Sequence, residues 1–388
     1  MNYDEGESVF LDENDIIGEI PIDEEELPDA DDIDGSDAEI SDGPDDAVHI
    51  FQGHADEVFT VACSPTDRNL VATGGKDDIG FLWNICQGDW AFKLKGHSNS
   101  VSTLGFSFDG QLLASGSFDG LVKVWDISYQ NVTCKTLDCR GQPIKWVKWH
   151  PRGHLVLTGS EDSSVFLWNA DSEVLLNMFF AHNTTVTCGD FTPDGKTICI
   201  GYKDATLRIW NPKVGGIIHV VEGYTYHTEG LTCLSLSSDS TLALTGSSDS
   251  SVHLVNLRTG KVVGSLTNHS DSVECVGFAS SSFPWAASGG MDEKLVVWDL
   301  QYQSARCTYK HAKGVLCMSW LGASRYLATG GVDGKVRIWD SLSGDCVRTF
   351  SGHSGAIQSL AVSASGDFLV SVSNDNSARV FEISGFCS

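Results

Sequence analysis

No run of about 18 apolar residues occurs anywhere in the 388-residue sequence, so none of it is long enough to cross a bilayer as a helix. The N-terminus lacks both the basic and apolar stretch of a secretory signal and the Arg-rich composition of a transit peptide, which makes the cytoplasm the expected compartment and the nucleus a second one. The twelve cysteines form no CxxC pair and no Cys/His cluster at zinc spacing, and there is no Gly-rich phosphate loop. No metal and no cofactor are therefore expected. Positive charge is scarce: 25 Lys and Arg stand against 52 Asp and Glu, a formal net charge of -27, which disfavours direct nucleic-acid binding.

The imbalance is local. Residues 1–46 hold 20 acidic residues and no Lys or Arg, leaving the remaining 342 residues with a net charge of only -7. Such a stretch offers too little apolar surface to offset the entropy of ordering, so 1–46 reads as a disordered acidic tail and 47–388 as one folded domain. Phe10, Leu11, Ile16, Ile17, Ile20, Ile22 and Leu27 within it form either a docking motif or the filler of a solubilising tail.

What fills the rest is a ruler. The stretch GHSNSVSTLGFSFDGQLLASGSFDGLVKVWD, Gly96 to Asp126, alternates strand-like runs with the turns Phe108-Asp109-Gly110 and Phe118-Asp119-Gly120. Its Trp125 recurs as Trp83, Trp168, Trp210, Val255, Trp298, Trp339 and Phe381, at steps of 41 to 45 residues. Six residues before each stands an Asp without exception: Asp77, Asp119, Asp162, Asp204, Asp249, Asp292, Asp333 and Asp375. Ten before it is a hydroxyl (Thr73, Ser115, Thr158, Thr245, Ser288, Thr329, Ser371), with Ile200 the exception. A His opens seven units (His54, His97, His182, His227, His269, His311, His353), and Arg140 takes that place in the third.

This period, with its Gly-His to Trp-Asp signature, resembles a WD-repeat β-propeller over residues 47 to 383. The resemblance implies an all-β fold in which His, hydroxyl, Asp and Trp form a hydrogen-bonded chain inside each blade. The residue types suit it: carboxylate accepts from imidazole, imidazole meets hydroxyl, hydroxyl accepts from indole. Breaking one such chain should cost about 1–3 kcal/mol. Ser, His and Asp are also what a hydrolase uses, but a catalytic set is needed once and this one is written about eight times. No catalytic residue and no enzymatic activity are expected.

Val48 to Phe51 precede the first unit, and the last unit ends near Ile383. If each blade takes its outermost strand from the start of the next repeat, this N-terminal piece must complete the last blade and close the ring. Eight blades are predicted, with seven plus a degenerate extra as the alternative. Trp146 and Trp149 crowd the first strand of the third unit, so aromatic packing is expected to replace part of its network. In the fifth unit, Val255 removes the indole, and Thr245 and His227 must find another partner. Cys188, Cys233, Cys275 and Cys317 share one slot and should be small buried groups on inner strands.

The KWVKWHP entrance to the third repeat, GYKDATLRIWNPKVGGIIHVVEG in the fourth and the Trp-less fifth followed by RTGKVVG resemble the angio-associated migratory cell protein family. That resemblance implies a role in large ribosomal subunit biogenesis, where fungal relatives chaperone a newly made large-subunit ribosomal protein, or in cell migration and signalling. A monomeric, protein-binding chaperone for a basic ribosomal protein is the expectation. The loops beside the unit His and turn Asp offer Asp56, Glu57, Glu161, Glu229, Asp271 and Glu274 as acids and Phe59 and Phe118 as anchors, with Lys76, Arg140, Lys145, Lys203 and Lys313 among them. The alternatives are a signalling or migration scaffold and, less favoured, a ubiquitin-ligase substrate receptor. The latter often has Arg two residues after Trp-Asp, where this chain has Ser128, Gln301 and Leu342; only Arg258 fits, behind Val255-Asn256, which is not a Trp-Asp.

Overall fold

The computed structural model describes residues 44–85, 91–128, 132–180, 184–280 and 283–387. The acidic segment up to residue 43 and His182 lie outside these described residues.

Short turns between β-branched and aromatic runs leave the chain no option but antiparallel hairpins, and it folds into eight four-stranded sheets. The second blade shows the pattern: Val101–Phe106 innermost, then Leu112–Ser117, Leu121–Asp126 and the outer Thr133–Asp138. Its second strand is buried at every position because a neighbouring blade covers each face of the sheet. Its outer strand is mostly exposed. The innermost strands of successive blades contact one another all the way round, the last, Ile357–Val362, meeting the first, Val58–Cys63.

The ring is closed by the expected exchange. His49–Phe51 pairs antiparallel with Ala378–Glu382 as the outer strand of blade 8, with His49 opposite Val380 and Phe51 opposite Ala378. Phe51 also stacks on Trp83 of blade 1, ring centroids 4.8 Å apart and planes 2° from parallel. One strand therefore ties the last blade to the first. Asp45 and Asp46, read from sequence as the end of the tail, belong to this closure: Asp45 accepts from Arg379 Nε at 3.0 Å, and Asp46 accepts from the Ser351 amide at 2.8 Å.

The apolar cores lie between blades. Leu82 and Leu94 of blade 1 pack with Val101, Leu104, Leu113 and Trp125 of blade 2, and analogous clusters follow around the ring. A glycine near the end of the second strand in blades 1 to 7 makes room for them, and blade 8 has Val372 there. A Cβ on Gly74, Gly116, Gly246, Gly289 or Gly330 would strike the β-branched residue that opens the next blade, Val101, Ile144, Val273, Val315 or Ile357. Blade 3 uses the same space differently, as its Gly159 and Gly189 of blade 4 both abut the Trp146 ring. The four in-register cysteines do lie on innermost strands, their sulfurs against these glycines, and burial raises the Cys188 and Cys317 thiols to about 11 and about 12.

Candidate protein-binding face

Each turn between second and third strands is built around its invariant Asp. In all eight, the carboxylate accepts from the backbone amide two residues on: Ile79, Leu121, Ser164, Thr206, Ser251, Lys294, Lys335 and Ser377. The residue between them has positive φ in every blade, and six of the eight are not glycine, among them Ser163 at 78° and Ala205 at 65°. The carboxylate bond helps hold a conformation that L residues disfavour.

Four blades carry the full or nearly full side-chain chain. In blade 1 His54 Nδ1 donates to Asp77 at 3.0 Å, Nε2 meets Thr73 Oγ1 at 3.0 Å, and the Trp83 indole donates to the same oxygen at 3.3 Å. His97, Ser115, Asp119 and Trp125 repeat this in blade 2, and His269, Ser288, Asp292 and Trp298 in blade 6. In blade 8 His353 joins Asp375 and Ser371, both at 2.8 Å, and Phe381 supplies no indole. Although burial opposes ionisation of Asp77, Asp119 and Asp292, the imidazole and backbone donors outweigh it and lower all three pKa values.

The remaining blades depart from the expected network, each for a visible reason. Asp162 has no imidazole partner because Arg140 stands in the His slot; it serves its own turn through the Ser164 amide. The Trp168 indole there has no oxygen acceptor and faces the Cys139 sulfur, which lies 3.5 Å from Thr158 Oγ1. Asp204 holds the Thr206 amide and hydroxyl and pairs with Arg208 at 3.4 Å. In blade 7, Asp333 binds Arg337 at 2.6 Å instead of His311. The guanidinium faces His311 Nδ1 at 3.3 Å, so that nitrogen accepts and the tautomer is reversed relative to blade 1. Burial, reinforced by Arg337, lowers the His311 pKa to about 4.

Blade 5 shows what replaces the missing indole. The buried Tyr226 hydroxyl donates to Thr245 Oγ1 at 3.0 Å, and His227 Nε2 meets the same oxygen at 2.9 Å. His227 Nδ1 lies 2.7 Å from Ser251 Oγ and 3.5 Å from Asp249. Sequence reasoning missed Tyr226, although a tyrosine directly before the unit His beside a Trp-less slot was a usable signal. It also missed Arg337 and Arg379, which sit four residues beyond their turn Asp on the third strand, with side chains largely buried.

These networks sit beneath one face. Its inner rim is fixed by a backbone bond repeated eight times, from the first residue after each second strand to the entrance of the innermost strand: Lys76 to Glu57, Phe118 to Ser100, Glu161 to Pro143, Lys203 to Thr185, and likewise from Ser248, Met291, Val332 and Asn374. With the backbone so engaged, the eight side chains are free for other use.

The acids chosen from sequence are not equivalent on this rim. Lys76 lies 3.7 Å from Asp56 and 3.8 Å from Glu57, and Lys145 lies 3.5 Å from Glu161 with its ammonium 5.4 Å from the Phe118 ring. Phe59 and Phe118 are half-buried, so neither stands out as a free anchor. Glu229, Asp271 and Glu274, in blades 5 and 6, have no cation within ion-pair distance among the described residues. Glu161, Glu229 and Glu274 converge on one open cavity of about 710 Å³, floored by Val186 and Leu231 and bordered by Lys145 and Lys203. Asp56, Glu57 and Asp271 are not part of it.

Known proteins share this architecture. The family described as IFT122 first beta-propeller matches residues 40–282, and WD domain, G-beta repeat matches residues 303–340 and 344–382. Angio-associated migratory cell protein of Homo sapiens is 36% identical over 357 residues, spanning 87% of this chain and 80% of that protein, and the Canis lupus familiaris protein is 35% identical over the same spans. Among solved structures, Chaetomium thermophilum Sqt1 bound to the N-terminus of the ribosomal protein L10 matches with TM-score 0.81 at 24% identity, covering 87% of this chain and 100% of that one. Saccharomyces cerevisiae Sqt1 gives 0.80 at 20%, covering 87% and 99%. At those identities the likeness to Sqt1 is one of fold. The identity across most of both chains carries the assignment: this chain belongs to the angio-associated migratory cell protein family of WD-repeat β-propellers.

Proposed function

We propose that this propeller is a cytoplasmic chaperone or assembly factor that masks a basic segment of a ribosomal protein during large-subunit biogenesis, acting as a monomer and without enzymatic chemistry of its own. The observation that carries the reading is the acidic sector of Glu229, Asp271 and Glu274, without ion-pair partners among the described residues, beside an open cavity of about 710 Å³. A Lys/Arg-rich segment gains both an apolar wall for its side-chain stems and carboxylates for its heads. The Sqt1 structure bound to a ribosomal-protein N-terminus adds support by likeness of fold. The test is capture of the tagged protein from translating cells at low salt with nuclease treatment. One dominant basic ribosomal protein, lost when Glu229, Asp271 and Glu274 are together reversed to Lys, is the expected result. Recovery of receptor tails or signalling regulators with no ribosomal protein enriched would replace this reading with that of a scaffold.

A further inference from the structure

The outer strands of blades 3 and 4 differ from those of five other blades. The outer strands of blades 1, 2, 5, 6 and 7 each carry a Lys or Arg, such as Lys93, Lys135, Arg306 and Arg348. Those of blade 3, Val174–Phe180, and blade 4, Gly216–Val221, carry no formal charge. Val174, Leu175, Leu176 and Met178 on the first, and Ile217, Ile218 and Val220 on the second, are 38% to 51% exposed, and Val214 beside them is 75% exposed. The two strands are neighbours in space, since Asn177 Nδ2 donates to the Pro212 carbonyl of the next blade's turn. His219 in turn donates from Nε2 to the Arg258 carbonyl of blade 5 at 2.9 Å.

Two grooves flank this apolar ridge. One, of about 380 Å³, is lined by Leu155, Leu167, Leu176, Pro212 and Lys213. The other, of about 640 Å³, is lined by Val220, Lys261, Val262, Val263 and Gln303, with Glu222 and Thr225 at its polar side. Three cations stand along it, Lys213, Arg258 and Lys261, and none has an ion pair among the described residues. On a chain of net charge -27, three cations beside an apolar surface outnumber Glu222, the one carboxylate lining either groove, and reverse the local balance.

We infer that this side of the propeller is a second docking surface, separate from the acidic face, for an acidic amphipathic segment of a partner protein, its apolar side chains in the grooves and its carboxylates on Lys213, Arg258 and Lys261. Outward hydrophobic patches of this kind mark interaction sites. The outer strands of both blades are bulged, next to Trp168 and Trp210, so docking runs through side chains and not by adding a strand. Concave grooves favour a polypeptide over a flat lipid surface.

The probe is a fluorescein-labelled peptide of alternating Leu/Ile and Glu/Asp, titrated against the full chain by anisotropy. Saturable binding is expected, weakened at least tenfold by Lys213→Glu with Arg258→Glu and by Ile218→Asp, and unchanged by Glu274→Lys. The residues altered are exposed, and circular dichroism confirms folding of each variant. The inference is overturned if those variants bind as well as the parent, if a Lys-for-Glu peptide binds equally, if phosphatidylserine vesicles bind and the peptide does not, or if the ridge instead drives self-association that Ile218→Asp abolishes. Loss of ribosomal-protein capture in the Glu274→Lys background leaves this result untouched, so the two readings fail separately.

Discussion

At the scale of single residues, Tyr226 shows that a blade tolerates loss of its tryptophan only by finding another donor. Thr245 sits fully buried between Tyr226 and His227. Tyr226→Phe keeps the ring and deletes that one donor, so it should destabilise the protein by about 1 kcal/mol, read as a lower urea midpoint at unchanged slope. His154 gives a pH signature. Its two nitrogens donate to Asp109 of blade 2 at 3.0 Å and Asp171 of blade 3 at 2.9 Å, which requires the charged ring. Burial works against that charge, but the two carboxylates outweigh it and raise the pKa. The folded state thus holds its proton to higher pH than the unfolded chain, and the clamp contributes fully below about pH 6.5 and fades as pH rises through the raised value. The midpoint gap between wild type and His154→Gln should be wider at pH 5.8 than at pH 8.5; a gap independent of pH would remove the clamp. For His227 and His311 the sign is opposite. Burial lowers both to about 4, helped by His253 and Arg337, so they subtract stability as pH falls from about 6.5 toward 4.

At the scale of the element, the closing strand is the one whose hydrogen-bonded partner strand, among the described residues, lies at the opposite end of the propeller sequence. Removing residues 1–43 should leave the melting temperature within a degree or two, whereas removing 1–52 deletes Asp45, the His49–Phe51 ladder and the Phe51–Trp83 stack together. The longer deletion should lower the melting temperature by several degrees and produce self-association by sedimentation, because blade 8 then offers a bare edge. This is also where sequence was most informative. The eight turn Asps and the stray strand at Val48 to Phe51 specified blade number and closure, because backbone geometry repeats and a repeat is visible in one dimension. The face was less legible. Whether Glu161 is free or held by Lys145, and whether Asp333 answers His311 or Arg337, depends on side-chain reach across a turn or between blades, which spacing does not encode. Nor could spacing say that the turn Asp is kept without a His because it secures its own positive-φ neighbour.

At the scale of the whole molecule, the charge distribution gives the proposed client interaction its expected salt response. Contacts to the exposed Glu229 and Asp271 and the half-buried Glu274 are open to solvent and therefore screened over a Debye length of about 8 Å at physiological ionic strength. Affinity for a basic ribosomal-protein segment should fall by roughly an order of magnitude between 50 and 300 mM salt, mainly through the association rate, and the triple Lys reversal should flatten that dependence. Stopped-flow association at several salt concentrations reads it directly. A salt-independent rate would assign recognition to the apolar walls of the cavity. The acidic peptide bound on the outer ridge should show its own salt dependence, unaltered by that reversal.

The seam between His49–Phe51 and Ala378–Glu382 also sets a clock. During synthesis the first of these strands emerges and must wait while roughly 330 residues are made, and closing a loop of that length costs about 5 kcal/mol of chain entropy. The intervening blades can dock in order as they appear, each on the one before, so most of that entropy is lost in instalments. The final rim position at Asn374 and the final blade come into being together, at the last step. A nascent chain stalled before Ala378 would therefore carry its acids without a finished ring to hold them, and the face proposed for the client would be complete only once Ala378–Glu382 has been made.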